Sequence, residues 1–297
     1  MGLSGRVLTA MVSPFTADGA LDLDGAQRLA AHLIDHGSDG IVVAGSTGES
    51  PTLTHQETLD LFRVVVEAVG GRATVLAGTG KNDTAATIAL SCEAAEIGVD
   101  GLLLVSPYYN RPSQRGLVRH FGAVADTVGG LPVVLYDIPS RTGVELSLDT
   151  ILTLVRTHPN VVGLKDAAGN FPKSAAIVAQ APAGFRLYAG DDVSTLPLLA
   201  LGAVGVISVA GHLVGEDLAA MIDAFPTDPG KAREIHFKLL PLFDALFCDV
   251  NPVPLKAAMQ LVGLPAGGVR APLAEADQST IDQVREALRA VGVSLHA

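Results

Sequence analysis

Short, unbroken apolar runs alternate along this chain with longer stretches in which apolar residues recur at helical spacing. The runs cover residues 7–12, 40–44, 73–77, 101–105, 132–136, 161–165, 185–189 and 204–209, and are rich in Val, Ile and Leu. Continuous rather than alternating hydrophobicity marks parallel strands covered on both faces. The segments between them carry helix starts: Thr54 before HQETLDLFRVVVEAV, Asp83 before TAATIALSCEAAEIG and Ser113 before QRGLVRHFGAVADTV. Each offers a side-chain oxygen to the free N–H groups of a first turn. Gly37, Gly70, Gly98 and Gly129 are the matching stops, because glycine accepts the left-handed conformation that ends a helix.

Eight strand-like runs, each followed by a helix-like one, predict an α/β fold closed as a (β/α)8 TIM barrel. An open doubly wound sheet would carry a glycine-rich dinucleotide turn after its first strand, and MVSPFTADG is not one. The turn-rich break from Pro226 to Gly230 sets a boundary, giving a catalytic barrel over 1–226 and a C-terminal helical domain over 227–297. Helical stretches are expected there at about 230–247, 252–262 and 275–291.

Composition narrows the function classes. Hydrophobic residues make up 48% and charged residues 17% of the 297 positions, so the chain can bury a sizeable core. A net charge of −11 without a basic run argues against nucleic acid and anionic membranes as partners. Cys92 and Cys248 stand far apart and outside any CxxC, so neither a disulfide framework nor a zinc site follows. No apolar run approaches the roughly 20 residues of a membrane span, and the N-terminus has no secretory pattern, so the expected location is cytoplasmic.

In such a barrel the chemistry sits at the C-terminal ends of the strands and in the loops after them, while the other end is expected to be bland. The clusters expected to converge there are GSTGES at 45–50, PYYNRP at 107–112, YDIPSRTG at 136–143, Lys165-Asp166, Gly190-Asp191-Asp192 and Ile207-Ser208. Of the six lysines, Lys165 alone closes a buried-type strand. A free lysine is neutral only about once in a few thousand at pH 7, so a nucleophilic amine needs desolvation or a neighbouring cation. Lowering its pKa to about 7–8 costs roughly 3–5 kcal/mol. A structural ion pair with Asp166 is the other reading of the same position.

Tyr136, ending the neighbouring strand, is placed to move protons, with Ser46, Thr47, Tyr108 and Tyr109 as further hydroxyls. It reads equally well as a barrel tyrosine satisfied by backbone. The glycine-rich loop offers N–H groups to an anion or is plain turn geometry. Arg141 is either a carboxylate clamp or a solvated cation. Gly78-Thr79-Gly80-Lys81 is not a P-loop, since Val75 and Asn82 stand where glycine and Ser/Thr belong. Asp191-Asp192 reads as a cation ligand or, more plainly, as a solvated or helix-capping pair. No metal, nucleotide or flavin cofactor is expected.

Taken in order, GSTGES, PYYNRPSQRG, LYDIPSRTG, VVGLKDAAG, YAGDD, GVISV and NPVPLK closely resemble the 4-hydroxy-tetrahydrodipicolinate synthase (dihydrodipicolinate synthase) family, within the pyruvate-dependent class I aldolase and N-acetylneuraminate lyase superfamily. The likeness runs from about Thr9 to past residue 270. It implies a lyase-type synthase of lysine and diaminopimelate biosynthesis that condenses pyruvate with L-aspartate 4-semialdehyde. By the same resemblance Lys165 forms the Schiff base with pyruvate and no other cofactor is needed. Tyr136 moves protons in a relay with Ser46 and with Tyr109, the latter reaching across from a neighbouring subunit. Thr47, Ile207 and Gly190 line the pyruvate site, Arg141 receives the aldehyde's carboxylate, and the assembly is a homotetramer, a dimer of dimers.

The chain departs from the pattern at two places. Ser46 stands where threonine is usual in the relay, keeping the hydroxyl and losing the methyl that restricts its rotamer. Ser50, His55, Asn82 and Tyr108 match the inhibitor site of lysine-sensitive relatives, but Ala86 replaces a glutamate and Thr58 a histidine. Weak or absent inhibition by lysine is the expectation. A sugar-acid aldolase of the same superfamily and a non-catalytic keto-acid-binding barrel are the alternatives. Tyr108-Tyr109-Asn110 with Ser140-Arg141-Thr142-Gly143 favours the synthase.

Overall fold

A computed structural model describes residues 3–296. Eight parallel strands close in sequence order into a barrel. They are β1 (Val7–Ala10), β2 (Gly40–Val43), β3 (Thr74–Gly78), β4 (Gly101–Val105), β5 (Val133–Asp137), β6 (Val161–Asp166), β7 (Arg186–Ala189) and β8 (Gly205–Ser208). The surrounding helices are α1 (Leu23–Asp35), α2 (His55–Val69), α3 (Thr84–Ile97), α4 (Gln114–Thr127), the short α5 (Pro139–Thr142), α6 (Leu148–Thr157), α7 (Phe171–Gln180), α8 (Thr195–Ala200) and α9 (Gly211–Ala224). Beyond them lie α10 (Pro229–Ala245), α11 (Val253–Leu261) and α12 (Gln278–Val291). The expected (β/α)8 barrel is therefore the observed architecture, and the three C-terminal helices fall within a few residues of their expected positions.

The local signals act as their chemistry requires. Thr54, Asp83 and Ser113 each cap their helix by accepting an N–H from the first turn, and Thr54 forms a reciprocal capping box with Glu57. Gly70 and Gly98 are left-handed C-caps, whereas Gly37 and Gly129 follow one residue after the caps His36 and Val128. Alternation along the strands then divides the core. Leu8, Ala10, Val42, Leu76, Leu103, Val134, Tyr136, Tyr188 and Ile207 pack inside the barrel, with Leu3 among them. Residues such as Val7, Ile41, Val75 and Leu135 face outward onto Leu29, Phe62, Leu117 and Ile151 of the helices. Each such fully buried side chain contributes about 1.5–3 kcal/mol.

Where β8 returns to β1, a Cβ at Gly205 would collide with the Arg6 carbonyl, so glycine permits the closure. The end of the barrel opposite the active rim is less bland than expected. An open groove of about 920 Å³ lies there, with Arg6, Asp39, Arg72, Asp100 and Arg186 on its walls. Three of these five charges are paired, Arg6 with Asp39 and with Asp223 beyond the groove, and Arg72 with Asp35.

Candidate active site

Strand alternation decides which rim groups meet. Tyr136 pairs in register with Lys165, and Lys165 with Tyr188, so all three project from one face of the sheet into the barrel. The following residues, Asp137 and Asp166, therefore point outward. Asp166 accepts from Ser174 Oγ at 2.6 Å and from the Ala168 N–H at 3.0 Å. Asp137 receives Lys173 Nζ at 2.8 Å and the Leu146 N–H at 3.1 Å. Asp166, the partner considered for Lys165, makes no ion pair among the described residues, and the buried ion pair beside it joins Lys173 to Asp137.

Lys165 is 4% exposed and makes no ion pair within 4.0 Å among the described residues. Its Nζ lies 4.3 Å from the centre of the Tyr136 ring. Burial lowers its pKa to about 8; the nearby Asp192 and Asp191 carboxylates oppose that shift and Arg141 assists it. Burial pushes the Tyr136 phenol up to about 12, against the pull of Arg141 and of the adjacent Ser46 hydroxyl. At neutral pH the site thus holds a phenol that keeps its proton beside an amine that readily gives one up.

Asp192 is fully buried beneath β8. It accepts from the Ser208 hydroxyl and from the N–H groups of Val209 at 3.0 Å and Ala210 at 2.9 Å. Burial raises its pKa to about 6. Asp192 is therefore neither solvated nor a cap of the helix that follows the pair, since α8 carries no side-chain cap; it braces the end of β8 instead. Among the described residues no group of His, Cys, Asp and Glu side chains is arranged to hold a metal ion.

The other rim residues separate into two groups. Ser46 and Arg141 line a cavity of about 280 Å³ together with Ser50, Tyr108, Thr142 and Asn251. Lys165, Tyr136, Thr47, Ile207 and Gly190 do not line it, and Ser46, facing the Tyr136 phenol, links the cavity to the buried pair. Ile207 is fully buried in the barrel interior, and Thr47 is 3% exposed. Gly190 donates to the Asp166 carbonyl at 2.7 Å, and a Cβ there would stand 2.8 Å from the Ala167 Cβ. Glycine therefore lets β7 close against the end of the lysine strand.

Tyr109 is not brought to the site within one chain. It is left-handed (φ 71°) and 90% exposed. Of the regulatory-type residues, Ser50 and Tyr108 share the cavity, and the Asn82 carbonyl accepts from Asn110 at 2.7 Å. His55 turns away to pair with Glu93 on α3 at 2.9 Å, and Thr58 is satisfied by the Thr54 carbonyl.

Sequence reasoning missed the contribution of the C-terminal segment. Asn251 donates from Nδ2 to Thr47 Oγ1 at 2.9 Å, and its carbonyl accepts from Arg141 Nη2 at 3.0 Å. Its Oδ1 is buried without a partner among the described residues. The signal was NPVPLK, an Asn–Pro pair and a lysine in a largely apolar helix.

Comparison with known proteins bears on the family and the fold. The model of the dihydrodipicolinate synthetase family matches residues 3–291. The 4-hydroxy-tetrahydrodipicolinate synthase of Moorella thermoacetica is 56% identical over 97% of this chain and 99% of its own. A second such synthase, from Streptomyces coelicolor, is 53% identical over 98% and 96%. Among solved structures, the dihydrodipicolinate synthase of Cyanidioschyzon merolae with lysine bound superposes with a TM-score of 0.96 at 45% identity, covering 98% of this chain and 99% of that one. The Aquifex aeolicus enzyme gives 0.96 at 39% identity over 99% and 100%. On fold, motif order and full-length likeness together, the chain belongs to the dihydrodipicolinate synthetase family.

Proposed function

We propose that the chain makes 4-hydroxy-tetrahydrodipicolinate from pyruvate and L-aspartate 4-semialdehyde through an imine on Lys165. The synthase activity follows from the family and its full-length relatives. The assignment of residues rests on one observation above all: a buried Lys165, without an ion pair among the described residues, in register with a protonated Tyr136.

With its pKa at about 8, roughly a tenth of Lys165 is neutral at pH 7. The amine attacks the pyruvate carbonyl carbon, and Tyr136 protonates the departing hydroxyl, which leaves as water. Loss of a methyl proton gives the enamine, whose terminal carbon bonds to the aldehyde carbon of the second substrate. A proton returned through Tyr136 converts the new alkoxide to a hydroxyl. The substrate's own amine then attacks the imine carbon, closes the ring and frees Lys165. Ser46 relays protons between Tyr136 and the cavity, and Arg141, at its wall, holds the semialdehyde carboxylate. That cation favours a short carboxylated aldehyde over a sugar acid.

Thr47, Ile207 and Gly190 shape the pyruvate site around the strand ends. Tyr109 completes the relay from a neighbouring chain, and a homotetramer built as a dimer of dimers accommodates that reach. The barrel over 1–226 carries the covalent chemistry, with the helical unit over 227–297 supporting its rim. Among the described residues no helix is long and apolar enough to cross a membrane, and a cytoplasmic location suits the pathway. Borohydride trapping with pyruvate, followed by peptide mass spectrometry, tests the assignment. A reduced pyruvyl adduct on Lys165 with turnover of the semialdehyde is expected. Folded protein that yields no adduct contradicts the imine and revives the binding barrel.

A further inference from the structure

A second lysine, Lys256, is as buried as Lys165 and has no part in the covalent steps. It enters the barrel rim from α11, 2% exposed, with its ammonium group among three oxygens. Nζ lies 2.8 Å from the Ser13 carbonyl, 2.7 Å from the Gly268 carbonyl and 2.6 Å from Glu49 Oε1. The last contact is an ion pair rather than an aligned hydrogen bond. The other carboxylate oxygen of Glu49 accepts the Arg270 N–H at 3.0 Å. The Arg270 side chain continues outward to Glu57, Thr52 and Gly19. Phe15 lies under both cations, 4.2 Å from Lys256 Nζ and 4.3 Å from the Arg270 guanidinium carbon.

Glu49 belongs to the loop that carries Ser46 and Thr47. Its N–H donates to the Ser46 carbonyl at 3.2 Å, and Ser50 N–H reaches back to Gly45 at 3.4 Å. The loop is bounded by two left-handed non-glycine residues, Ala44 and Glu49, both at φ 53°. Such a backbone persists only where its surroundings hold it. The C-terminal segment supplies that hold at three points, Asn251 on Thr47 and both Lys256 and the Arg270 N–H on Glu49. A buried ion pair is weak evidence for stability, because desolvation offsets its attraction. A charge pair at this depth, with its carboxylate inside the loop that carries Ser46 and Thr47, fits a demand for placement better than a demand for stability.

We infer that Glu49 and Lys256 are positioning residues for the reaction, holding the Ser46–Thr47 loop at the distance from Tyr136 that proton transfer requires. The inference rests on the Schiff-base reading and deepens it: the helical unit sets the geometry of the barrel's proton relay. Misplacement of a relay hydroxyl slows the steps in which protons move, while pyruvate still reaches Lys165.

The test uses the full-length protein with Lys256→Met, Glu49→Gln and the double substitution. Each is followed by thermal unfolding, by borohydride trapping with pyruvate, and by steady-state turnover well below the unfolding midpoint. The single variants are expected to lose about 10–100-fold in kcat, to keep pyruvate KM within about threefold, and to trap pyruvate on Lys165 to the wild-type extent. The double variant should be no slower than the worse single one, since the two groups act as a unit. A folded Lys256→Met protein with kcat within about twofold of wild type, whatever its melting temperature, overturns the proposal and leaves only a structural brace. Should that variant fail to fold, Glu49→Gln, which preserves shape, decides by the same criteria. Wild-type protein that turns over without trapping removes the imine instead, and the kcat comparison still decides the role of the pair.

Discussion

Lys165 and Tyr136 face each other as register partners across β6 and β5, and the lysine nitrogen lies 4.3 Å from the centre of the phenol ring. The pairing puts the nucleophile and the proton donor in one desolvated layer, while the carboxylates that follow each of them face the helices. The amine is thereby shielded from Asp137 and Asp166, the two anions nearest to these residues in sequence.

Replacing the nucleophile should separate chemistry from folding. Lys165→Met is expected to abolish the borohydride adduct and lower kcat by about 10⁴-fold or more. The fold should not suffer. A lysine lowered from 10.5 to about 8 opposes folding by about 3 kcal/mol at neutral pH. The folded state therefore gains stability as pH rises from about 8 towards 10.5, where the unfolded chain still binds the proton. Thermal unfolding at pH 7 should give the variant a midpoint equal to or above that of the wild type; a sharp fall would contradict the unpaired, desolvated lysine.

Tyr136→Phe removes the proton carrier and keeps the ring under Lys165. Turnover should drop by about 10²–10⁴-fold, the range for general acid–base groups. The adduct should still form, only more slowly. Rapid-quench trapping measures that rate, and a wild-type rate would remove Tyr136 from imine formation.

The pH profile of trapping should report the amine. Adduct formation at limiting pyruvate is expected to rise with pH through about 8 and then level off. Asp192 opposes the drop in the Lys165 pKa, so Asp192→Asn should move that midpoint to lower pH. An unmoved or raised midpoint in a folded variant would show that Asp192 does not act on Lys165.

Tyr109, exposed within one chain, should act in its neighbour. Tyr109→Phe and Tyr136→Phe proteins, each nearly inactive, should regain roughly a quarter of wild-type activity when mixed under conditions that exchange subunits. Half of the pairs are then hybrids, each with one intact site. Mixtures that stay inactive despite exchange, followed by native mass spectrometry, would place Tyr109 outside the relay.

Lysine should inhibit weakly or not at all. Ala86 supplies no carboxylate to an α-ammonium group, and His55 is already committed to Glu93, two turns further along α3. A titration giving half-inhibition well below millimolar would refute this.

The apolar periodicity by itself determined the eight β/α units, the capping side chains Thr54, Asp83 and Ser113, and the helical C-terminus, because these follow from local hydrogen bonding and from a pattern of two or 3.6 residues. It also singled out Lys165 and Tyr136, because a strand-end position inside a closed barrel can be read from strand order alone. Other features were settled only by tertiary contact. Whether Lys165 or Lys173 carried the ion pair depended on which face of β6 and α7 each occupied. Whether Asp192 was solvated depended on the backbone N–H groups of Val209 and Ala210 closing over it. The ties from Asn251 to Thr47 and from Lys256 to Glu49 join positions about 200 residues apart in sequence. No local propensity encodes such a contact: a charge is legible in the sequence, but its partner exists only once the barrel has closed and the last helices have packed against its rim.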